Sequence, residues 1–302
     1  MIENFHPDLR RIARFTPSRG MKMTPWMLPL ARGVMASRAV GGPRDVEVVS
    51  LGAGVGVRVH RPPALDAPMP GLLWIHGGCY VIGCAAQDDR LCERFARTLG
   101  VVVASVEYRV APENPYPAAL DDCEVALNWL TTQPDVDASR VAIGGASAGG
   151  GLTAALALRV RDAQSAPKPV MQLLTYPMLD DRPALRADPD PRHRRIMDQG
   201  MNRFGWESYL RGAVPADAVP ARATDLGGLP SAWIGVGTLD LLFEECLDYA
   251  DRLKQSGVEC ALQVVPGAFH GFDLFAPKAG VSRRFFEAQC TALRAAFGST
   301  AH

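Results

Sequence analysis

The sequence lacks an excess of charge of either sign. Its 302 residues carry 32 basic and 32 acidic side chains, for a formal net charge of +0 at pH 7. A chain without net positive charge has no general electrostatic attraction to nucleic acid or to an anionic membrane, so we expect no nucleic-acid partner. The hydrophobic fraction of 48% excludes an intrinsically disordered chain and provides for a sizeable core.

The sequence also lacks a long apolar run and a secretion signal. No stretch reaches the roughly 18 apolar residues that a membrane helix needs, and the first residues lack the basic start and apolar core of a signal peptide. We therefore expect a cytoplasmic protein without a membrane span. The 7 cysteines are odd in number and form no Cys-x-x-Cys pair, which argues against a disulfide framework or a zinc site. No metal is predicted.

Strand and helix patterns alternate from about residue 46 onward. Short apolar runs bounded by glycine and proline are typical of strands buried on both faces of a sheet. They occur at 46–51, 55–60, 72–76, 101–108, 141–144, 171–175, 233–237 and 261–265. Helical periods occur at 87–99, 118–131, 148–161, 243–255 and 282–297. This order predicts an α/β fold with a mostly parallel sheet flanked by helices, the first two strands pairing antiparallel at one edge.

Two stretches do not fit this alternation. Residues 1–45 are rich in methionine, and residues 182–225 begin as a polar, proline-rich loop that continues into a helical pattern at 197–210. We expect both to lie over the edge of the sheet, with Thr24 and Pro25 as the N-cap and first turn of a helix. They are either an adaptable apolar cover for a ligand or ordinary packing helices.

The strongest chemical signal is Gly-Ala-Ser-Ala-Gly at 145–149. It follows a predicted strand and precedes a predicted helix, which is the context of a nucleophile elbow. Small neighbours let Ser147 occupy a strained turn, and the helix N-terminus behind it directs N–H groups at developing negative charge. Ser147 is therefore the candidate nucleophile; the alternative is a glycine-rich turn with an idle serine.

A serine hydroxyl is a poor nucleophile and needs a base, which in this type of fold follows the serine along the chain. His302 is the last residue, and His193 lies in an arginine-rich run, 192–195, that we expect to be a solvated face. His270 follows the last predicted strand. Catalytic groups of open α/β sheets gather at such strand ends, so His270 is the candidate base.

A third residue must hold that imidazole in one tautomer and offset its charge. Asp240 comes directly after the strand predicted at 233–237 and is the candidate acid. Asp180, at the end of an earlier strand, and Glu244, in the first turn of the next helix, remain alternatives.

A second glycine-rich loop, His-Gly-Gly-Cys-Tyr at 76–80, also follows a predicted strand. Backbone N–H groups from such a loop, with one from the residue after the nucleophile, form an oxyanion hole. The candidate donors are Gly77, Gly78, Cys79 and Ala148. We expect His76 to orient the loop, and we assign Tyr80 to substrate binding.

Together these motifs resemble the hormone-sensitive-lipase-like carboxylesterases of bacteria. The resemblance rests on the motifs at 76–80 and 145–149, on Tyr-Arg-Val-Ala-Pro-Glu at 108–113, on Asp-Leu-Leu at 240–242 and on His-Gly-Phe at 270–272. It covers about residues 45–295. It implies an α/β-hydrolase fold in which segments 1–45 and 182–225 form a helical cap over a catalytic domain of residues 46–181 and 226–302.

The resemblance also implies an activity. By its motifs, Ser147 is the nucleophile, Asp240 the acid and His270 the base of an enzyme that hydrolyses short- to medium-chain acyl esters through an acyl-enzyme. No metal or organic cofactor is implied. The expected partner is a small acyl-ester substrate, and a homodimer is left open.

Three positions depart from the family pattern. Cys79 stands where the family has a third loop glycine, Ala146 where it has an aspartate before the serine, and Leu241 where it has a proline after the acid. Cys79 keeps its N–H group but adds bulk, and its thiol is either reactive beside the site or packed and inert. A binding protein without catalysis is the weaker alternative, because no catalytic residue is lost. Hydrolysis of amides, lactones or acetylated sugars stays open.

Overall fold

The computed structural model describes residues 2–18, 24–37, 42–43, 46–63, 68–163, 168–212 and 218–298. Within these ranges the strands are β1 (Glu47–Gly52), β2 (Val55–His60), β3 (Met69–Ile75), β4 (Val102–Glu107), β5 (Val136–Ala146), β6 (Met171–Thr175), β7 (Ser231–Gly237) and β8 (Cys260–Val265). They form one sheet in the order β1-β2-β4-β3-β5-β6-β7-β8. As predicted, β1 pairs antiparallel with β2 at one edge of the sheet. The other strands, β3 to β8, run parallel to one another.

The helices in the same ranges are α1 (Arg10–Phe15), α2 (Leu28–Ser37), α3 (Asp89–Leu99), α4 (Ala118–Thr131), α5 (Ala148–Asp162), α6 (Gln199–Leu210), α7 (Phe243–Gln255), α8 (Phe272–Phe275) and α9 (Gly280–Gly298). Helix α3 packs against α9, α4 packs against α5, and all four contact the sheet. This arrangement confirms the predicted α/β-hydrolase fold. No helix of the described residues has the length and apolar character needed to cross a bilayer.

Most predicted elements are present with shifted ends. Strand β5 begins five residues before the predicted 141, and a 3-10 helix (Ala85–Asp88) replaces the predicted start of α3. In the helix predicted at 118–131, Val125 lies on the outer face and is 44% exposed. The buried face of α4 consists of Ala119, Leu120, Asp122, Cys123, Ala126, Leu127 and Leu130.

The N-terminal segment contacts the insertion between β6 and β7. Asn4 Nδ2 donates to His193 Nε2 at 3.0 Å, and Arg195 Nε donates to the Ala13 carbonyl at 2.9 Å. The arginine-rich run is thus not the expected solvated face, because Arg195 is buried and its guanidinium satisfies backbone carbonyls. Thr24 precedes a 3-10 turn that leads into α2, but its side chain makes no capping hydrogen bond.

The topology brings the candidate residues to one edge of the sheet. Parallel strands present their carboxyl ends at the same edge, where ligands of open α/β sheets bind. The loop 76–80 follows β3, Ser147 follows β5, Asp240 lies three residues after β7, and His270 lies five residues after β8. Residues far apart in sequence therefore meet above these strand ends.

Candidate active site

Ser147 occupies a sharp turn between β5 and α5. Its φ of 57° and ψ of −120° lie outside the regions that non-glycine residues usually adopt. The turn is held by the Ser147 N–H, which donates to the Thr175 carbonyl at 2.9 Å. Gly149 is required by close packing, because a Cβ there would overlap the Ile75 carbonyl oxygen. The serine is thus held in a tightly packed turn at the start of a buried helix.

Ser147, His270 and Asp240 form a continuous chain of hydrogen bonds. His270 Nε2 lies 2.9 Å from Ser147 Oγ, and His270 Nδ1 lies 2.9 Å from Asp240 Oδ2. A carboxylate only accepts, so Nδ1 carries the proton and Nε2 presents its lone pair to the serine hydroxyl. The other carboxylate oxygen of Asp240 accepts from the Leu242 N–H at 2.9 Å. All three side chains are buried.

The alternative acids and bases have other partners. Asp180 Oδ1 lies 2.8 Å from Arg182 Nε, and Glu244 is exposed. His193 Nδ1 lies 2.7 Å from Asp190 Oδ2. His302 lies outside the described residues. Among the described alternatives, no hydrogen bond reaches Ser147 or His270.

The loop 76–80 lies directly against the elbow. A Cβ on Gly77 would lie 2.8 Å from the Ala146 carbonyl oxygen and 3.3 Å from the Ser147 Cβ. Gly78 and Cys79 have φ values of 135° and 51°, and no backbone carbonyl of the described residues accepts from their N–H groups. These N–H groups and the first one of α5, from Ala148, are therefore available beside Ser147.

The side chain of His76 supports the loop 76–80. Its Nδ1 donates to the Gly77 carbonyl at 2.9 Å, and its ring stacks on Tyr108 with 4.1 Å between ring centroids. The Tyr108 hydroxyl donates to the His76 carbonyl at 3.0 Å. Burial lowers the pKa of His76 to about 4, so its imidazole is neutral over the ordinary pH range.

Cys79 lies at the cavity beside Ser147, whereas the neighbouring Tyr80 lies away from it. Cys79 lines the cavity beside Ser147, and burial, assisted by Asp198, raises the pKa of its thiol to about 12. Tyr80 is only 1% exposed and does not line the cavity. Its ring stacks on Tyr209 of α6 with 4.2 Å between centroids. The structure thus places the Tyr80 ring beneath α6 and outside this cavity.

The cavity next to Ser147 and His270 has a volume of about 150 Å³. Its apolar lining includes Met35 of α2 together with Ile196, Met197 and Met201 of the insertion. Polar side chains also line it, and sequence reasoning missed them: Gln87, Asp88, Asp273 and Gln289. The local sequence around these four residues does not indicate a site, because it is the packing of α3, α8 and α9 that brings them to one cavity.

Arg194 is a further residue that the sequence did not reveal. Its Nη1 donates to the carbonyl oxygens of Leu239 at 3.1 Å and Asp240 at 2.9 Å, and its guanidinium pairs with Asp188. The insertion thereby holds the backbone of the loop that carries the candidate acid. Its position in an arginine-rich run gave no indication of this contact.

Comparison with known proteins identifies the family. A family model described as the alpha/beta hydrolase fold matches residues 72–274. This chain belongs to that family.

Relatives in the α/β-hydrolase family support the enzyme class. The chain is 33% identical to Carboxylesterase NlhH of Mycobacterium tuberculosis over 270 residues, covering 85% of this chain and 81% of the relative. It is 34% identical to Ethyl acetate hydrolase of Pseudomonas putida over 226 residues, covering 72% and 70%. The solved structure of a bacterial heroin esterase matches with a TM-score of 0.87 and 34% identity, covering 98% and 99%. The predicted family and the class of carboxylic ester hydrolases are confirmed.

Proposed function

We propose that this enzyme hydrolyses short- to medium-chain acyl esters through an acyl-enzyme. Ser147 is the nucleophile, His270 the general base and Asp240 the acid that orients it. The observation that carries the proposal is the hydrogen-bonded chain from Asp240 through His270 to Ser147. The ethyl acetate named for one relative is a short ester, and the small cavity suits an acyl group of limited size.

The proposed reaction has two acyl-transfer steps. His270 Nε2 takes the hydroxyl proton as Ser147 Oγ attacks the ester carbonyl carbon, and Asp240 stabilises the imidazolium that forms. The imidazolium then protonates the departing alcohol, which leaves the acyl group on Ser147. A water molecule, deprotonated by His270, then attacks the acyl carbon. The bond to Ser147 Oγ breaks, the imidazolium returns its proton to Ser147 Oγ, and the carboxylic acid is released.

Backbone N–H groups stabilise the oxyanion of each tetrahedral intermediate in this proposal. The donors are those of Gly78, Cys79 and Ala148, with Gly77 as a fourth candidate. Such donors are already oriented before the reaction, and one of them can contribute roughly 10²–10³-fold to kcat. The thiol of Cys79 has no part in this role, because the contribution comes from its backbone.

We further propose that segments 1–45 and 182–225 form a cap over this site. The lining residues Met35, Met197 and Met201 come from these two segments, and flexible thioether side chains adapt to ligands of different shape. Tyr80 supports this cap through its contact with Tyr209. Parts of both segments lie outside the described residues.

The test is hydrolysis of p-nitrophenyl esters from acetyl to dodecanoyl, by the wild type and by Ser147→Ala. We expect activity on short and medium chains and its loss by several orders of magnitude in the variant. Ser282→Ala, which alters another buried serine, is the control and should retain activity. A fluorophosphonate probe should label the wild type but not Ser147→Ala. Inactivity of the folded wild type on every ester, without labelling, would contradict the proposal and favour a binding protein.

A further inference from the structure

Tyr176, the first residue after β6, has an unusual backbone conformation. Its φ is 36°, in the left-handed region that a bulky side chain rarely adopts. Residues strained in this way persist only where the surrounding structure fixes them, and they cluster at functional sites. Tyr176 is buried and lines the cavity next to Ser147 and His270. The reaction proposed above gives it no role.

The chain around Tyr176 holds the backbone of Ser147. The Thr175 carbonyl accepts from the Ser147 N–H at 2.9 Å, and the Met178 N–H donates to the Ser147 carbonyl at 2.9 Å. The N–H of Tyr176 itself donates to the Gly235 carbonyl of β7 at 2.7 Å. Both backbone groups of the candidate nucleophile are therefore bonded to the residues that flank Tyr176, so the main chain fixes the position of Tyr176 relative to Ser147.

The ring of Tyr176 contacts the candidate base. It makes an edge contact with the His270 imidazole, with 4.8 Å between ring centroids and an interplanar angle of 63°. Aromatic rings at this separation and tilt attract one another. The imidazole presents Nε2 to Ser147 Oγ at 2.9 Å, and the tyrosine ring restricts its rotation away from that position.

The hydroxyl of Tyr176 is bonded to the loop that carries His270. It donates to Asp273 Oδ1 at 2.8 Å, and Asp273 lies on α8, three residues after His270. Burial, assisted by Asp273, raises the pKa of Tyr176 well above its usual value of 10, so the hydroxyl keeps the proton that it donates. One side chain thus contacts the base by its ring and the base loop by its hydroxyl.

We propose that Tyr176 is a positioning residue for His270, which ties the base loop to the backbone of Ser147 and holds Nε2 within hydrogen-bond distance of Oγ. The proposal rests on the esterase function proposed above and adds a residue to its site. Asp240 bonds the other ring nitrogen, so the two residues constrain the imidazole at different points. A misplacement of about 1 Å between reacting groups can cost about 100-fold in rate.

Two substitutions of Tyr176 separate its hydroxyl from its ring. With p-nitrophenyl acetate, Tyr176→Phe should lower kcat about 10-fold and Tyr176→Leu about 100-fold, each changing KM less than about threefold. The control is Tyr249→Phe: Tyr249 is buried outside the cavity, and within the described residues no hydrogen bond reaches its hydroxyl. It should keep the wild-type kcat. Active sites are counted by complete labelling with a fluorophosphonate, so kcat does not depend on the folded fraction.

Substitutions of Asp273 show whether the hydrogen bond carries the effect. Asp273→Leu should lower kcat about 10-fold, and Asp273→Asn should recover most of that loss because its amide oxygen still accepts from the hydroxyl. Tyr176→Phe combined with Asp273→Leu should lose no more than either change alone, since each breaks the same bond. Additive losses would contradict this coupling and overturn the proposal.

The remaining outcomes distinguish this proposal from the proposed function. Wild-type kcat in both Tyr176→Phe and Tyr176→Leu would overturn the positioning role. A raised KM with unchanged kcat would also overturn it, because Tyr176 would then bind substrate without positioning the base. Either result in an enzyme whose wild type hydrolyses esters through Ser147 leaves the esterase function intact. An inactive, unlabelled wild type would instead contradict the esterase function itself.

Discussion

The backbone of Gly205 on helix α6 lies against the carbonyl group of Cys79 in the loop 76–80. A Cβ on Gly205 would lie 2.7 Å from the Cys79 carbonyl oxygen and 3.1 Å from its Cβ. Helix α6 therefore packs directly on the loop whose N–H groups are the proposed oxyanion donors. This contact joins the geometry of the insertion to the chemistry at Ser147.

Gly205→Ala should slow catalysis by displacing this loop. We expect kcat to fall about 10- to 100-fold, because a shift of the donors by a fraction of an ångström misaligns them with the oxyanion. Gly200→Ala, on the same helix, is the control: its nearest neighbour would be 3.4 Å away, and alanine favours the helix. Steady-state measurement of kcat for the wild type and both variants tests this expectation. Equal kcat values for Gly205→Ala and Gly200→Ala would show that the loop accommodates the added methyl group without displacing the donors.

Asp240→Asn should lower kcat by about 10⁴-fold with little change in KM. An amide that accepts from the backbone would favour the wrong His270 tautomer and could not offset its charge. Asp180→Asn is the matched control, since Asp180 pairs with Arg182, and it should retain at least a third of wild-type activity. Measurement of kcat for both variants distinguishes the two carboxylates. A greater loss in Asp180→Asn would reassign the acid.

His76 should make the folded state less stable at acidic pH. Burial lowers its pKa from 6.5 to about 4, so between these values the unfolded chain binds a proton that the folded chain does not. The free energy of unfolding should fall by up to about 3 kcal/mol from pH 6.5 to pH 4 on this account, with no further loss below pH 4.

Urea unfolding from pH 4 to pH 7.5 measures this dependence, with His76→Gln as the comparison. Other groups titrate in the same range, so the relevant quantity is the difference in slope between the two proteins. The variant should show the shallower dependence, whatever its absolute stability. Parallel pH profiles would show that His76 is protonated equally in both states.

The Cys79 thiol should react slowly with maleimide although it lines the cavity. With a pKa of about 12, only about 10⁻⁴ of it is thiolate at pH 8, and the thiolate is the nucleophile. We expect N-ethylmaleimide to inactivate the wild type and Cys79→Gly at the same rate. Residual esterase activity over time provides the measurement. Rapid inactivation of the wild type alone would identify a reactive thiol beside the site.

The sequence was most informative where the chemistry is carried by short motifs. The glycine-flanked serine predicted a strand-to-helix turn, and Ser147 has the unusual backbone angles that such a turn requires. Asp240 and His270 were singled out because each follows a predicted strand. Their hydrogen bonds follow from the parallel order of β5, β7 and β8, which brings these strand ends to one edge.

Residues whose environment depends on long-range packing were less predictable. Tyr80 belongs to the loop motif, yet α6 covers its ring and keeps it out of the cavity. Arg194 and Arg195 lie in a run that indicates a solvated face, but their guanidinium groups bind carbonyls of distant segments. No local pattern encodes which segment will fold over an arginine.

By itself, the sequence determined the α/β-hydrolase fold, the enzyme class and the identity of Ser147, Asp240 and His270 as candidates. Hydrophobic periodicity and turn residues act locally along the chain and suffice for the α/β order and the candidate residues, whereas the α/β-hydrolase fold and the enzyme class came from the motifs' resemblance to a known family. Only the tertiary structure decided that Gln87 and Gln289 share one cavity wall. They lie about two hundred residues apart on different helical elements, and only the packing of these elements brings both residues to the same cavity.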